Sequence, residues 1–131
     1  MTPDELRALA DRVVACRHWR PMRGMRDLHG RTWTPDLLWR WHPHDRPDLS
    51  DPATLGCLLA LVREAWRCPT VHVRQGTTRR VSDGVLAWEV CDLWLDAEAC
   101  RALGVDRQGS VGSWGHGSEA EALVAALEDA P

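Results

Sequence analysis

Residues 50–69 read SDPATLGCLLALVREAWRCP, and this stretch predicts a single amphipathic helix. Asp51 provides a carboxylate as N-cap, and Pro52 follows in the first helical position, where no backbone N–H is needed. Apolar residues then recur at helical spacing until Pro69 prevents continuation. These recurring residues are Leu55, Leu58, Leu59, Val62 and Trp66. We therefore expect a helix that begins at Asp51 and buries one face in the core.

Two further helices are predicted at the two ends of the chain. The first begins at Thr2, with Pro3 next and Glu5 three residues after the cap, which is a capping box. The last begins at Ser118, with Glu121 in the same position of a second capping box. Both carry an apolar stripe at helical spacing: Leu6, Leu9, Ala10 and Val13 in the first, and Ala122, Leu123, Ala126 and Leu127 in the last.

Between the helices the apolar period changes to two, which is typical of strands. The alternation predicts strands at 37–41, 70–74 and 85–90, the last after a Ser82-Asp83-Gly84 turn, and a short strand at 110–114. Residues 24–33 are compatible with a hairpin. The stretch 93–106 fits no single period and allows a short helix over Ala97–Leu103.

These elements predict the fold class and the domain organisation. Strands joined by short turns pair antiparallel, so we expect an α+β fold. The expected order is α-β-β-α-β-β-α, with one antiparallel sheet sandwiched by three helices. A chain of 131 residues is near the size of one hydrophobic core, and no Pro/Gly/Ser-rich linker divides it. Residues 1–131 are therefore expected to form a single domain.

Three segments resemble the phage ABA-sandwich domain family. They are Trp19–Met25 (WRPMRGM), Leu49–Gly56 (LSDPATLG) and Glu119–Leu127 (EAEALVAAL). Members of this family are small proteins encoded by phages and prophages, and their sheet lies between helices. The resemblance spans nearly the whole chain, but its motifs are structural. It implies the sandwich architecture and a phage or prophage origin, and it implies no catalytic residues.

The composition weakens two common functional signals. The chain has no Phe, Tyr, Ile, Asn or Lys, so all 16 cationic residues are Arg and all eight aromatic residues are Trp. The missing types share AT-rich codons, which indicates a GC-rich genome. A preference for Arg and Trp is therefore not by itself evidence of phosphate clamps or base-stacking platforms.

Charge is distributed unevenly along the chain, although the net value is only −3. Residues 1–47 have nine arginines against six acidic residues, residues 48–81 have five against three, and residues 82–131 have two against ten. The net value alone does not indicate a nucleic-acid or membrane partner. The basic and acidic regions either contact different partners or contact each other.

The cysteines and the N-terminus favour a cytoplasmic protein, in the host cell if the protein is phage-encoded. Five cysteines give an odd count without a CxxC pair, which favours reduced thiols. Asp4 and Glu5 stand where a signal peptide has positive charge. No apolar run approaches 18 residues, so we expect no membrane partner.

A basic segment and one tryptophan are the candidate partner-binding residues. Arg and Trp are the residue types that interface hot spots favour, and a row of arginines can also contact nucleic acid. Trp94 lies between Asp92 and Asp96, which predicts an exposed apolar tip flanked by acids. The basic segment, residues 17–31, contributes Arg17, Trp19, Arg20, Arg23 and Arg26, together with His18 and Arg31.

Three catalytic or ligand-binding interpretations are weaker. His42 and His44, with Asp45 or Asp48, offer two imidazoles and a carboxylate to a metal, but they form an incomplete site. Cys68 with His72, and Cys16 with His18, would need proximity and a lowered thiol pKa to act as nucleophiles. The glycine-rich residues 109–117 precede a helix, but they lack the P-loop spacing and its Lys.

The favoured hypothesis is a non-enzymatic phage or prophage accessory protein that binds a host macromolecule, without a cofactor. Its sharper form is an anti-defence inhibitor, such as an anti-CRISPR protein, that acts through protein–protein contact. One alternative is a nucleic-acid-binding protein that uses residues 17–31. Another is a metal-dependent enzyme built around His42 and His44. The sequence specifies neither the partner nor the oligomeric state.

Overall fold

The computed structural model describes residues 1–35, 41–82, 84–105, 109–110 and 115–131, with the backbone alone at 77–82 and 109–110. The described chain is α+β, as the sequence predicts. It contains four helices and two small antiparallel sheets of two strands each. The helices are α1 (Pro3–Ala15), α2 (Pro52–Ala65), α3 (Ala97–Leu103) and α4 (Glu119–Glu128). The strands are β1 (His72–Ser82), β2 (Val85–Cys91), β3 (Trp94–Leu95) and β4 (Gly109–Ser110).

The predicted N-caps are confirmed, because each capping side chain accepts from the helix it starts. The hydroxyl of Thr2 accepts from the backbone N–H of Glu5, whose carboxylate accepts from the N–H of Thr2 at 2.6 Å. This hydrogen bond holds the pKa of Glu5 below its ordinary value. Ser118 and Glu121 form the same reciprocal pair at α4, and the Asp51 carboxylate caps α2.

Helix α4 lies at the centre of the core. Its predicted apolar face is fully buried, and Ala120, Val124 and Ala125 are buried as well, because α1, α2 and the β1–β2 sheet all contact it. Its last carbonyls are satisfied by other elements. The indole N–H of Trp66 donates to the Ala126 carbonyl at 2.8 Å, and the thiol of Cys16 donates to the Leu127 carbonyl.

Strands β1 and β2 form the longer sheet. They pair antiparallel with His72 opposite Cys91 and Gln75 opposite Trp88. Strand β1 extends well beyond the predicted 70–74, and Gly84 at the turn has a φ of +79°, as its position in a tight turn requires. Trp88 also exchanges two backbone hydrogen bonds with His116, which connects the segment before α4 to the sheet.

The expected element order needs revision at two places. Helix α3 is a fourth helix, and it occupies the Ala97–Leu103 stretch where the sequence allowed a short one. Between α1 and α2 the described residues contain isolated bridges instead of strands. The predicted strands at 37–41 and 110–114 lie almost entirely outside the described residues, as do Trp39 and Trp114.

Residues 24–33, which the sequence allowed as a hairpin, form a short antiparallel turn with one isolated β-bridge instead of two paired strands. The Gly24 N–H donates to the Trp33 carbonyl at 3.0 Å, and the Trp33 N–H donates to the Met25 carbonyl at 2.8 Å. Arg26 and Thr32 form an antiparallel β-bridge nearer the tip of the turn, where Gly30 has a φ of +82°. Met25 is fully buried and packs this turn against the core.

An ionic cluster of Asp27, Arg31 and Asp45 connects this turn to the segment before α2, and we call it the buried cluster because both carboxylates are buried, although the Arg31 side chain is 42% exposed. The Asp27 carboxylate accepts from the backbone N–H groups of His29 and Arg31 and from the Arg31 guanidinium. The Asp45 carboxylate accepts from the Arg31 guanidinium and from the backbone N–H of His42. Burial alone raises the pKa of Asp27, but the hydrogen bonds and charge of Arg31 outweigh it and hold this pKa below its ordinary value.

The core is one cluster of buried apolar side chains that runs from Leu9 in α1 to Ala130 after α4. Trp66 belongs to it, and Trp41 and Trp88 pack against it half-buried. Among the described residues, no helix combines the length and apolar character that crossing a bilayer requires.

Candidate partner-binding groove

The arginines of the basic segment do not form one continuous cationic face. Arg26 lies 3.9 Å from the Asp51 carboxylate, and Arg31 is held in the buried cluster. Arg23 is exposed beside the N-terminal half of α2, where its carbonyl accepts from the Cys57 thiol. The structure therefore separates the predicted binding residues into two groups, and Arg17 to Arg20 belong to a different surface from Arg23 and Arg26.

A groove of about 460 Å³ brings Arg17, Trp19 and Arg20 together with residues far away in sequence. One side is the segment that follows α1, and the other is formed by the end of α2 and by α3. This groove, which we call the arginine groove, is lined by Arg17, His18, Trp19, Arg20, Leu61, Glu64, Ala65, Arg67, Ala102, Leu103 and Pro131. Its lining side chains include three arginines and one glutamate.

Arg67 reaches the arginine groove because α2 ends in a left-handed turn. Its φ is +48°, its N–H donates to the Glu64 carbonyl, and the Cys68 N–H donates to the Arg63 carbonyl. This is the hydrogen-bond pattern that normally places glycine after a helix. An arginine there costs about 1–2 kcal/mol of backbone strain. Within the described chain, the Arg67 side chain makes no hydrogen bond or ion pair.

The other charged groups of the arginine groove are held only weakly. Arg20 forms an ion pair with Glu64 at 2.7 Å, but both side chains are more than half exposed. Such surface pairs contribute about 0–1 kcal/mol. The Arg17 guanidinium donates to the Ala130 carbonyl at 3.3 Å, a long hydrogen bond. A partner carboxylate or phosphate can therefore replace these contacts at little expense.

The apolar lining of the arginine groove, which we call its floor, belongs to the core or packs against it. Leu61 and Ala65 are buried residues of α2, and Leu103 packs against the same core. Trp19 is half-buried at the rim, where its ring meets the edge of Trp41 at a centroid distance of 5.7 Å. An apolar floor below a cationic rim can accommodate a side chain that is apolar and has acidic neighbours.

Trp94 is exposed, as the sequence predicts, with 63% of its surface accessible. It lies in β3, outside the arginine groove, and borders a separate depression with Thr70, Asp92 and Leu93. The Asp92 backbone has a φ of +58°, and its carbonyl accepts from the Thr70 hydroxyl at 3.1 Å. Trp94 is therefore a separate exposed feature, although the sequence analysis named it as a candidate together with the arginines.

The histidine pair at 42–44 does not have the geometry of a metal site. Both rings are exposed and stack in parallel, 5.5 Å apart, instead of converging on a point. Both oxygens of the Asp45 carboxylate already accept hydrogen bonds from Arg31 and His42. Among the described residues, no group of three or more potential metal-binding side chains occurs.

In both cysteine–histidine pairs, the thiol donates its hydrogen bond to a backbone carbonyl. The Cys68 thiol donates to the Asp92 carbonyl, while the His72 ring lies 3.4 Å from the Asp92 carboxylate. The Cys16 thiol donates to the Leu127 carbonyl. The glycine-rich stretch leads into the capping box of α4. There the Glu121 carboxylate already accepts a hydrogen bond from the Ser118 N–H.

Sequence reasoning missed Arg67 and Glu64 as groove residues. Both were read as parts of the helix that begins at Asp51, and the groove arises only because the fold places α3 and the segment after α1 beside the end of this helix. The one sequence signal for Arg67 is its place before Cys68-Pro69, where a helix must end. Comparisons of the chain with family models, curated proteins and solved structures gave no match.

Proposed function

We propose that this protein is a non-enzymatic binding protein whose arginine groove docks an acidic segment of another protein. The observation that carries the proposal is the convergence of Arg17, Arg20 and Arg67 above an apolar floor. Arginine clusters recognise carboxylate and phosphate groups through bidentate hydrogen bonds. The apolar floor adds a pocket for a neighbouring side chain of the docked segment.

The distribution of ion pairs favours a protein partner over a nucleic acid. Binding to duplex DNA commonly uses about 6–10 phosphate contacts. Outside the arginine groove, Arg12 pairs with Glu128, Arg46 with Asp11, and Arg31 with two buried aspartates. The pKa of Arg12 is raised by its hydrogen bond to Glu128. These arginines are engaged within the chain and do not extend the groove into a phosphate track.

The origin and cellular role follow from the family resemblance and belong to the same proposal. The protein is a phage or prophage accessory protein that acts in the host cytoplasm and inhibits a defence system by occupying a surface of one of its proteins. Its sandwich arrangement of sheet and helices is part of this resemblance. No cofactor enters this mechanism, because binding alone blocks the target.

A charge-matched pair of variants tests the groove. Arg17→Ala/Arg67→Ala removes two groove arginines, whereas Arg7→Ala/Arg74→Ala removes two exposed arginines elsewhere. Each tagged protein is incubated with a bacterial host lysate, with and without nuclease, and captured proteins are identified by mass spectrometry. We expect one protein captured by the wild type and the control variant in both arms, and lost with the groove variant.

Two results would contradict the proposal. Capture that disappears after nuclease treatment would indicate nucleic acid, and capture that survives in the groove variant would exclude this surface. The cellular role is tested by phage plating on a host with an active CRISPR system. Expression of the wild type should raise the plating efficiency, and expression of the groove variant should not.

A further inference from the structure

A second, acidic pocket adjoins the arginine groove. It has a volume of about 280 Å³ and is lined by Arg67, Asp96, Glu98, Ala99 and Ala102. Arg67 and Ala102 also line the arginine groove, so the two depressions form one continuous surface. The charge of this surface therefore changes sign across Arg67. Arg17 and Arg20 lie on one side, and the carboxylates at the start of α3 lie on the other.

Arg67 and these carboxylates line one pocket without pairing. No ion pair joins Arg67 to Asp96 or Glu98 among the described residues. One oxygen of Asp96 caps α3 by accepting the Ala99 N–H at 2.7 Å, and Glu98 makes no hydrogen bond within the described chain. Opposite charges that are close to each other yet unpaired can pair with the same groups of another molecule.

Trp94 stands two residues before Asp96, which lines this acidic pocket. Leu95 is buried at 1% exposure, and strand residues alternate between two faces. Trp94 and Asp96, on either side of Leu95, therefore both face outward. The surface combines a large exposed apolar ring with adjacent positive and negative groups, which is the composition of an interface centre and rim.

We infer that two copies of the chain associate about a two-fold axis that passes beside Arg67. In such a symmetric contact, a positive patch next to a negative patch is self-complementary, since each patch faces its opposite on the other copy. Arg67 of each copy pairs with Glu98 of the other, and Trp94 adds apolar area. A stable interface needs about 800 Å² from each partner, roughly a tenth of the 7730 Å² surface of this chain.

This inference goes beyond the proposed function and does not rest on it. Because the dimer covers the arginine groove, the acidic partner and the second copy compete for the same arginines. The dimer would be a resting form, and partner binding would release the monomer. Dimerisation is measured on the purified protein alone, so its failure and the failure of partner capture are separate results.

The first experiment is sedimentation velocity of the wild-type chain over a series of concentrations and salt concentrations. The species expected at high concentration has twice the 14.7 kDa mass of the monomer. Because two pairs of charges hold it together, the dimer should weaken as salt rises. A monomer at every concentration up to about 1 mM, or a dimer that is insensitive to salt, would overturn the inference.

Charge reversal in trans provides a sharper test. Arg67→Glu and Glu98→Arg each create two repulsive contacts in their own dimer, and each should weaken it about tenfold or more. An equimolar mixture of the two variants restores both attractive pairs in a heterodimer and should recover wild-type affinity. Arg7→Glu, an exposed reversal on α1, is the matched control and should dimerise normally.

The mixture distinguishes a contact between copies from a folding defect, because a misfolded variant cannot be rescued by another misfolded variant. Circular dichroism of each variant verifies the fold. If the single variants dimerise like the wild type, or if the mixture stays as weak as either variant alone, Arg67 and Glu98 do not pair across the axis and the inference is wrong.

Discussion

The buried Asp27–Arg31–Asp45 cluster and the arginine groove use the same chemical groups for different purposes. In the buried cluster, both carboxylates are at most 4% exposed and all four of their oxygens accept hydrogen bonds. In the groove, the arginines are exposed and held by one surface ion pair and long hydrogen bonds. The two regions therefore differ in the carboxylates that face the arginines, which are buried and saturated with hydrogen bonds in one region and exposed in the other, since the Arg31 side chain itself is 42% exposed.

The largest expected effect comes from breaking the buried cluster. Asp27→Ala removes the acceptor of two backbone N–H groups and leaves the Arg31 guanidinium with one carboxylate. We expect the free energy of unfolding to fall by about 2–3 kcal/mol, since two backbone N–H groups and the partly exposed guanidinium lose this acceptor. Glu64→Ala, which removes the groove carboxylate, should change it by less than about 0.5 kcal/mol. Urea unfolding measures the stability of both variants. Equal losses of stability would contradict the distinction between the buried cluster and the arginine groove.

Acid sensitivity should belong to the buried cluster. The pKa of Asp27 in the folded chain lies below its value in the unfolded chain, which is about 3.9. The stabilisation from Asp27 is therefore complete above that value and is lost as the pH falls through the folded pKa. Urea unfolding of the wild type and of Asp27→Asn, from pH 6 to pH 2.5, should give curves that converge as the pH falls. A constant difference would show that the ionisation of Asp27 is irrelevant.

An intermediate effect is expected where the turn that contains Asp27 and Arg31 meets the start of α2. The buried hydroxyl of Thr54 accepts from the Arg26 N–H at 2.8 Å and lies 2.9 Å from the Asp51 carboxylate. It thereby attaches the hairpin turn to the start of α2. Thr54→Val keeps the shape but removes these bonds, and it should cost about 1–2 kcal/mol. Thr54→Ser, the matched control, retains the hydroxyl and should cost less; equal costs would indicate that only the methyl group matters.

The local elements of this fold could be predicted from sequence because their signals are local. The capping boxes at Thr2 and Ser118 and the cap at Asp51 each act within four residues, so their spacing in the sequence is sufficient. The Ala97–Leu103 helix was recognised only as one possibility, because its seven residues are too short for a periodic signal.

The arginine groove could be predicted only in part, because it is built from three segments that meet through tertiary packing. Arg17 and Arg20 were found from the density of cations in the sequence, but the same signal included Arg26 and Arg31, whose partners Asp51 and Asp45 lie outside the basic segment. Ion pairs between residues 14 to 44 positions apart cannot be recognised from the spacing of residues in the sequence. Arg67 was missed because nothing in its neighbourhood identifies it as more than a helix end.

The smallest expected change in stability tests Arg67 itself, since a glycine would suit its backbone better. Arg67→Gly relieves the left-handed strain, while the unfolded chain gains freedom, so we expect a net gain of about 0.5 kcal/mol. Arg67→Ala removes the same guanidinium without that relief and should be no more stable than the wild type. Both variants should lose partner capture and dimerisation equally. This combination would mean that the strained arginine is kept for binding at the expense of stability. If Arg67→Gly gained stability and still bound, the guanidinium would have no part in the interface; if neither variant differed from the wild type in unfolding, the left-handed turn would carry no strain to relieve.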